Sequence, residues 1–149
     1  MENINFVFPE IFISLSIMFL LMFGVFKKKS SNLIYLFSII TLFLSLILIF
    51  NFSSEQEKYL FNNSYKIDQL SIFMKLVTIV AGIFVLVSSY SYTKIEKIFK
   101  IEFPVLILCS ILGMLVMISA YDLIVFYIGL ELQSLSLYVL AAFNRNNIK

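Results

Sequence analysis

A carboxylate lies near the middle of an apolar stretch that is long enough to cross a membrane. Residues 121–143 read YDLIVFYIGLELQSLSLYVLAAF, and a membrane-spanning helix needs about 20 such residues. Glu131 follows Asp122 by nine residues. At about 1.5 Å per residue this places Glu131 roughly 13 Å into the helix, near the bilayer centre. Insertion scales put a charge there at roughly 2.5–3.5 kcal/mol unfavourable, so a partner must hold the carboxylate or the group must be neutral.

Polar residues accompany Glu131 on one face of this predicted helix. Tyr127, Glu131, Ser134 and Tyr138 are separated by steps of four, three and four. We expect this face to point towards other helices or internal water, because lipid offers it no hydrogen bonds. A carboxylate in such a place can load and release a proton when its partner moves, which is how proton relays work. The alternative is that Glu131 only hydrogen-bonds a neighbouring helix.

Two further charges lie within apolar stretches. Lys75 is about 10 Å beyond Asp68, which marks the mouth of the third predicted span. Lys75 either extends its stem towards the interface or acts as an intramembrane cation, for which Glu131 is a candidate partner. Glu10 follows Pro9 in the first turn of the first span. We interpret Glu10 as a capping charge at the interface, where a carboxylate complements the helix dipole.

Composition indicates an integral membrane protein and excludes several kinds of site. The chain is 61% hydrophobic and 13% charged, with a mean hydropathy of +1.00, whereas soluble domains average about a quarter charged residues. It has no histidine and a single cysteine, Cys109, so we expect no haem, no metal site and no internal disulfide. No basic run is interleaved with aromatics, which leaves nucleic-acid binding without support. No Gly-rich loop or nucleophile–base pair predicts a redox or hydrolytic centre.

The apolar stretches predict one all-α, polytopic membrane domain over residues 1–149. Five transmembrane helices are expected at about 6–26, 33–52, 67–90, 103–120 and 122–143. Small residues, Ala81 with Gly82 and Gly113, would let helices approach closely. The polar loop at 53–66 contains turn-forming residues, Asn62, Asn63 and Ser64, and nothing in it indicates a site.

Basic residues lie mostly on one side of this predicted fold. The side that holds the N-terminus carries Lys58 and Lys66. The other side carries the rest, apart from Lys75: Lys27, Lys28, Lys29, Lys94, Lys97, Lys100, Arg145 and Lys149. The positive-inside rule therefore predicts an N-terminus outside and a C-terminus inside.

The fifth span, whose most specific part is GLELQSLSLYVLAA, resembles the fifth helix of subunit 2 of respiratory complex I, the proton-translocating NADH:ubiquinone oxidoreductase. The preceding EFPVLILCSILGMLVMISAYDL is similar to the fourth helix of that subunit. IDQLSIFMKL resembles its third helix and FPEIF its start, so the resemblance covers the whole chain.

The resemblance implies an antiporter-like subunit of the membrane arm, in which the glutamate matching Glu131 belongs to the proton path. In that family the glutamate pairs with a lysine on the seventh helix. The resemblance also implies that this chain carries no cofactor, since NADH, FMN, the iron–sulfur clusters and ubiquinone belong to other subunits of the complex.

The family has more helices than the five predicted here. On this resemblance, residues 1–90 form three N-terminal helices, and residues 103–143 form the first two helices of an incomplete antiporter-like unit. We therefore expect a split subunit, with a second polypeptide that supplies the remaining helices. Other membrane-arm subunits and lipids are the further partners expected.

Two other hypotheses are a scaffold fragment of the same complex that does not pump and a small independent ion transporter. The favoured residues, such as Phe, Ile, Asn and Lys, are encoded by AT-rich codons. This composition and the split together favour an organelle-encoded protein of the mitochondrial inner membrane over a bacterial one.

Overall fold

The computed structural model describes residues 7–26, 31–51, 58–61, 63–95 and 102–142. Most of these residues form five helices: α1 (Phe8–Phe26), α2 (Ser31–Asn51), α3 (Gln69–Ile95), α4 (Glu102–Ile118) and α5 (Leu123–Ala142). The all-α polytopic architecture and the five predicted helices are thereby confirmed. A short antiparallel hairpin, β1 (Lys58–Leu60) and β2 (Tyr65–Ile67), is an addition that the sequence did not predict.

Four of the helices are long and apolar enough to cross a membrane: α1, α2, α3 and α5. The remaining helix, α4, has 17 residues and is equally apolar in character. The third helix runs to Ile95, beyond the predicted end near residue 90, so the backbone of Lys94 lies in a helix and not in a loop. Most residues that decide the orientation, including Lys27–Lys29, Lys97 and Arg145, lie outside the described residues, and the orientation stays a prediction.

The short helix α4 is the centre of the bundle. It packs against α1, α3 and α5, and makes a smaller contact with α2. Its buried residues point in several directions, among them Val105, Leu108, Ile111 and Leu115. By contrast, only Gly129 and Ser136 of α5 are buried. The fifth helix is therefore held by α4 and leaves most of its surface uncovered by the described residues.

Two glycines let α4 and α5 touch backbone to backbone. A Cβ atom on Gly113 would come within 2.8 Å of the Gly129 carbonyl oxygen and the Gln133 nitrogen. A Cβ on Gly129 would in turn lie 2.9 Å from the Gly113 oxygen. Any side chain at either position would force the helices apart, which is the usual reason for small residues at membrane helix crossings. The predicted close approach at Gly113 is confirmed.

Aspartates begin the two helices that carry Lys75 and Glu131. Asp68 Oδ1 accepts from the Ser71 backbone N–H at 2.7 Å, and Ser71 Oγ accepts from the Asp68 N–H at 2.9 Å. This reciprocal cap lowers the pKa of Asp68, mainly through the Ser71 N–H. Asp122 lies at the N-cap position of α5: its carbonyl accepts from the Phe126 N–H at 3.0 Å, and its Oδ1 lies 3.5 Å from the Ile124 nitrogen.

The hairpin between α2 and α3 turns at Phe61 and Asn63, whose φ angles are 52° and 65°. Asparagine tolerates this left-handed region, which fits the turn predicted at Asn63 and Ser64; Asn62 lies outside the described residues. The Lys66 N–H donates to the Ser119 carbonyl at 2.8 Å, and the Tyr121 N–H donates to the Ser64 carbonyl at 3.0 Å. The hairpin is therefore fastened to the turn between α4 and α5.

Candidate functional site

Glu131 is the ninth residue of α5, which places it roughly 12 Å from the start of that helix. Its Oε1 accepts a hydrogen bond from the Tyr127 hydroxyl at 2.7 Å, one helical turn earlier. The Ser134 hydroxyl donates to the Glu131 backbone carbonyl at 3.2 Å, and so does not hold the carboxylate. Of the predicted polar face, the structure thus joins Tyr127 to the carboxyl group and Ser134 to the backbone.

This polar face of α5 is open. Tyr127 is 60% exposed and Tyr138 is 68% exposed, while Glu131 is partly buried. The described residues therefore leave most of both tyrosine side chains uncovered and cover Glu131 only in part. The prediction that the face points towards other helices is therefore not met by the chain's own described helices. A partner helix or internal water from elsewhere must cover the face if the carboxylate is to avoid lipid.

Lys75 is a buried cation paired with a carboxylate, but that carboxylate is Glu10 and not the candidate partner Glu131. Lys75 Nζ lies 2.6 Å from Glu10 Oε1, and both side chains are about 95% buried, with relative exposures of 4% and 5%. The interpretation of Glu10 as a capping charge at the interface is wrong as well, because this first-turn carboxylate is 5% exposed and contacts the Lys75 ammonium of α3. Snorkelling of Lys75 is also excluded, since its ammonium ends at a buried carboxylate.

Tyr65 of β2 completes this buried group, and sequence reasoning missed it. Its hydroxyl donates to Glu10 Oε1 at 2.7 Å and accepts from Lys75 Nζ at 3.2 Å. The Lys75 ammonium also lies 5.2 Å from the centre of the Tyr65 ring. Burial raises the pKa of Tyr65, and the adjacent Glu10 charge raises it further, so the phenol remains a neutral donor. The loop predicted to hold no site therefore contributes a residue to one.

One sequence signal could have identified the pair of charges. Glu10 and Lys75 have opposite signs and each lies a few residues inside an apolar stretch, so each needs a partner on the same side of the membrane. Tyr65 offered no comparable signal, because a tyrosine in a polar loop is ordinary. Its role follows from the hairpin, which brings it back over the bundle.

A groove of about 350 Å³ lies between α3, α4 and α5. Its lining includes Ala81, Val85, Met114 and Leu140, and it contains no ionisable side chain. Apolar groups such as lipid chains or side chains of another helix suit this lining, so the groove offers packing and no acid–base chemistry.

The described residues contain no group of three or more His, Cys, Asp and Glu side chains that could hold a metal ion. Cys109 is half-buried in α4. The ionisable groups at the two sites described above are carboxylates, one buried ammonium and phenols.

Comparison with known proteins gives a consistent result over the whole chain. No family model matches. A protein of Pelagibacter ubique is 62% identical over 149 residues, which cover all of this chain and 32% of that relative. Its name is NADH-quinone oxidoreductase subunit N. The chain is similar to subunit N along its entire length.

Subunits N of Bartonella bacilliformis and Paramagnetospirillum magneticum are 41% and 42% identical over 144 residues, each covering 96% of this chain and 29% of the relative. The chain thus spans about a third of the length of the curated relatives it matches. The resemblance to a subunit of NADH:quinone oxidoreductase that GLELQSLSLYVLAA indicated is confirmed. These relatives come from bacteria, so they leave the predicted mitochondrial location untested.

Proposed function

We propose that this chain forms part of a subunit N in the membrane arm of a proton-translocating NADH:quinone oxidoreductase, and that Glu131 is one of its proton-relay groups. The observation that carries the proposal is the place of Glu131. In a chain similar to subunit N throughout, the carboxylate lies in the middle of a helix able to span a membrane, on a face that the described helices leave open.

The hydrogen bond from Tyr127 supports this role. One neutral phenol satisfies one acceptor position of the Glu131 carboxylate and does not neutralise its charge. A charge at this depth is unfavourable by roughly 2.5–3.5 kcal/mol, so a cation or a proton has to complete the site. A carboxylate that alternates between these two partners loads and releases a proton.

The cation for Glu131 has to come from outside the described residues. Among the side chains that the structure describes, Lys66 lies 3.4 Å from Asp68 and Lys75 is held by Glu10. Both are therefore engaged elsewhere. We propose that a lysine in the remaining sequence of subunit N, on the same or a second polypeptide, packs against the open face of α5. In this proposal α4 and α5 begin the antiporter-like unit, and α1–α3 form the three helices before it.

The electron-transfer centres lie elsewhere in this proposal. NADH, FMN, iron–sulfur clusters and ubiquinone belong to other subunits, and this chain contributes to the coupled proton movement. The membrane is the energy-coupling membrane that holds the complex, either the bacterial cytoplasmic membrane, which the organisms of the relatives favour, or the mitochondrial inner membrane, which the composition favours.

Replacement of Glu131 by Gln in the complete enzyme tests the proposal. The amide keeps the size and the hydrogen bond with Tyr127 but cannot carry a charge. We expect a lower ratio of protons translocated per electron, measured in sealed vesicles, while the assembled complex remains intact on native gels. Glu102→Gln is the matched control, because Glu102 is an exposed acid in the first turn of α4.

An unchanged ratio in an intact, active Glu131→Gln enzyme would defeat the relay and leave the scaffold role. The independent transporter predicts something different, namely ion flux through liposomes that contain the purified chain alone. The open face of Glu131 disfavours that outcome, because a pathway needs the carboxylate enclosed.

A further inference from the structure

Two buried polar atoms at one end of the bundle have no hydrogen-bond partner in the described structure: Glu10 Oε2 and Ser119 Oγ. Glu10 is 5% exposed and Ser119 is 1% exposed, so bulk water reaches neither. Both side chains adjoin the Tyr65 hydroxyl. That hydroxyl donates to the other oxygen of Glu10 at 2.7 Å, and the Ser119 hydroxyl lies beside it without meeting hydrogen-bond geometry.

The donors of this chain are concentrated on one oxygen of Glu10. Oε1 accepts from both Tyr65 and Lys75, whereas Oε2 accepts from neither. An ionised carboxylate spreads its charge equally over two oxygens, so a buried carboxylate with one bare oxygen is incompletely stabilised. The large majority of buried side-chain polar atoms in proteins have a hydrogen-bond partner, and ordered water often supplies one where the protein does not.

We propose that the cluster of Glu10, Tyr65, Lys75 and Ser119 binds one water molecule, which donates to Glu10 Oε2 and accepts from Ser119 Oγ. The charges of the cluster favour a neutral ligand. Glu10 and Lys75 already balance each other at 2.6 Å. An added cation would meet the Lys75 ammonium, and an added anion would meet the Glu10 carboxylate.

The water has a structural and an electrostatic consequence. Ser119 lies just beyond the end of α4 and Glu10 is in α1, so one water joins these two elements beside the Tyr65 hydroxyl of the hairpin. Hydration of the bare oxygen also lowers the cost of keeping the buried pair ionised. This inference does not depend on the role of Glu131.

Radiolytic labelling of the complete enzyme in its membrane tests the proposal. Hydroxyl radicals generated from a bound water oxidise the side chains beside it, and mass spectrometry locates the added oxygen. Tyr65 is 6% exposed, and we expect it to be labelled severalfold more than Tyr35, which is 1% exposed. Tyr35 is the control because its hydroxyl is paired with Thr93 Oγ1 at 3.1 Å in another buried place. Equal, low labelling of the two tyrosines would overturn the proposal.

The variant Ser119→Val sharpens the experiment, since its methyl groups remove one partner of the water and fill its space. Labelling of Tyr65 should fall to the level of Tyr35, whereas Ser110→Val, at a buried hydroxyl bonded to the Ile107 carbonyl, should leave it unchanged. Undiminished labelling in Ser119→Val would contradict the site. If the variant does not assemble, a density map of the wild type that resolves other buried waters decides the matter. A peak within hydrogen-bond distance of both atoms supports the site, and a map without one overturns it.

Discussion

Glu10 in the first turn of α1 and Glu131 in the middle of α5 both accept a hydrogen bond from a tyrosine at 2.7 Å. Beyond that shared feature their surroundings differ. Glu10 also holds Lys75 at 2.6 Å and is 5% exposed. Glu131 has no cation beside it among the described residues, and its tyrosine is 60% exposed.

The difference separates a charge that the chain neutralises by itself from one that has no cation beside it among the described residues. Four elements converge on Glu10, because α1, α3, the hairpin and the end of α4 meet there. Helix α5 packs mainly on α4, where Gly113 contacts Gly129. A closed ion pair is suited to holding helices in place, whereas an open carboxylate remains able to exchange its proton partner.

Removal of the cation from the closed cluster should have the largest effect. Lys75→Met leaves the Glu10 carboxylate buried without its countercharge, and breaking such a pair costs about 3–5 kcal/mol. We expect a steep loss of assembled subunit and a lower unfolding temperature in detergent. The double variant Glu10→Gln with Lys75→Met should recover much of the loss, because it leaves no charge. A Lys75→Met single variant as stable as the wild type would show that the ion pair does not stabilise the contact between α1 and α3.

A change at the α4–α5 contact tests how the open site is held. In Gly129→Ala the new methyl group would meet the Gly113 oxygen at 2.9 Å and the Met117 nitrogen at 3.0 Å, both backbone atoms. We expect a cost of about 1–3 kcal/mol and a displaced Glu131, measured by unfolding and by the proton-to-electron ratio. Gly82→Ala is the control, because the nearest atoms there belong to the flexible end of the Ile111 side chain. Equal effects at the two glycines would refute a rigid backbone contact.

Removal of the tyrosine hydroxyl that bonds Glu10 or Glu131 should have the smallest effects. The loss of stability should be larger at Glu10 than at Glu131. Tyr65→Phe removes a buried hydrogen bond to a charged group, which contributes about 1.5 kcal/mol, and the unfolding temperature should fall. Tyr127→Phe removes the corresponding bond to Glu131 at an exposed position, so the unfolding temperature should stay unchanged. The pH dependence of the rate of proton translocation should shift. A matching loss of stability in Tyr127→Phe would mean that the face of α5 is closed in the assembled enzyme.

Helix number and approximate bounds were predictable, because each span has to satisfy its backbone hydrogen bonds internally and present an apolar surface to lipid. Each span therefore appears in the sequence as a long stretch of apolar residues, and all five such stretches form helices. The polar face of α5 was likewise predictable from the spacing of Tyr127, Glu131 and Ser134. The partner of Lys75 was not, because pairing depends on which helix ends meet in space. The sequence alone allows Lys75 to form an ion pair with either of two carboxylates, Glu10 or Glu131.

The sequence by itself determined that this is a membrane chain of five helices with three charges inside apolar stretches, since composition and periodicity are properties of each segment alone. Only the tertiary structure decided which charge each of them meets. It joined Glu10 to Lys75 through a hairpin tyrosine and left Glu131 on an open face. The physical reason is that an ion pair forms over less than 4 Å between residues 65 positions apart, and packing of the helices, not spacing along the chain, sets that distance.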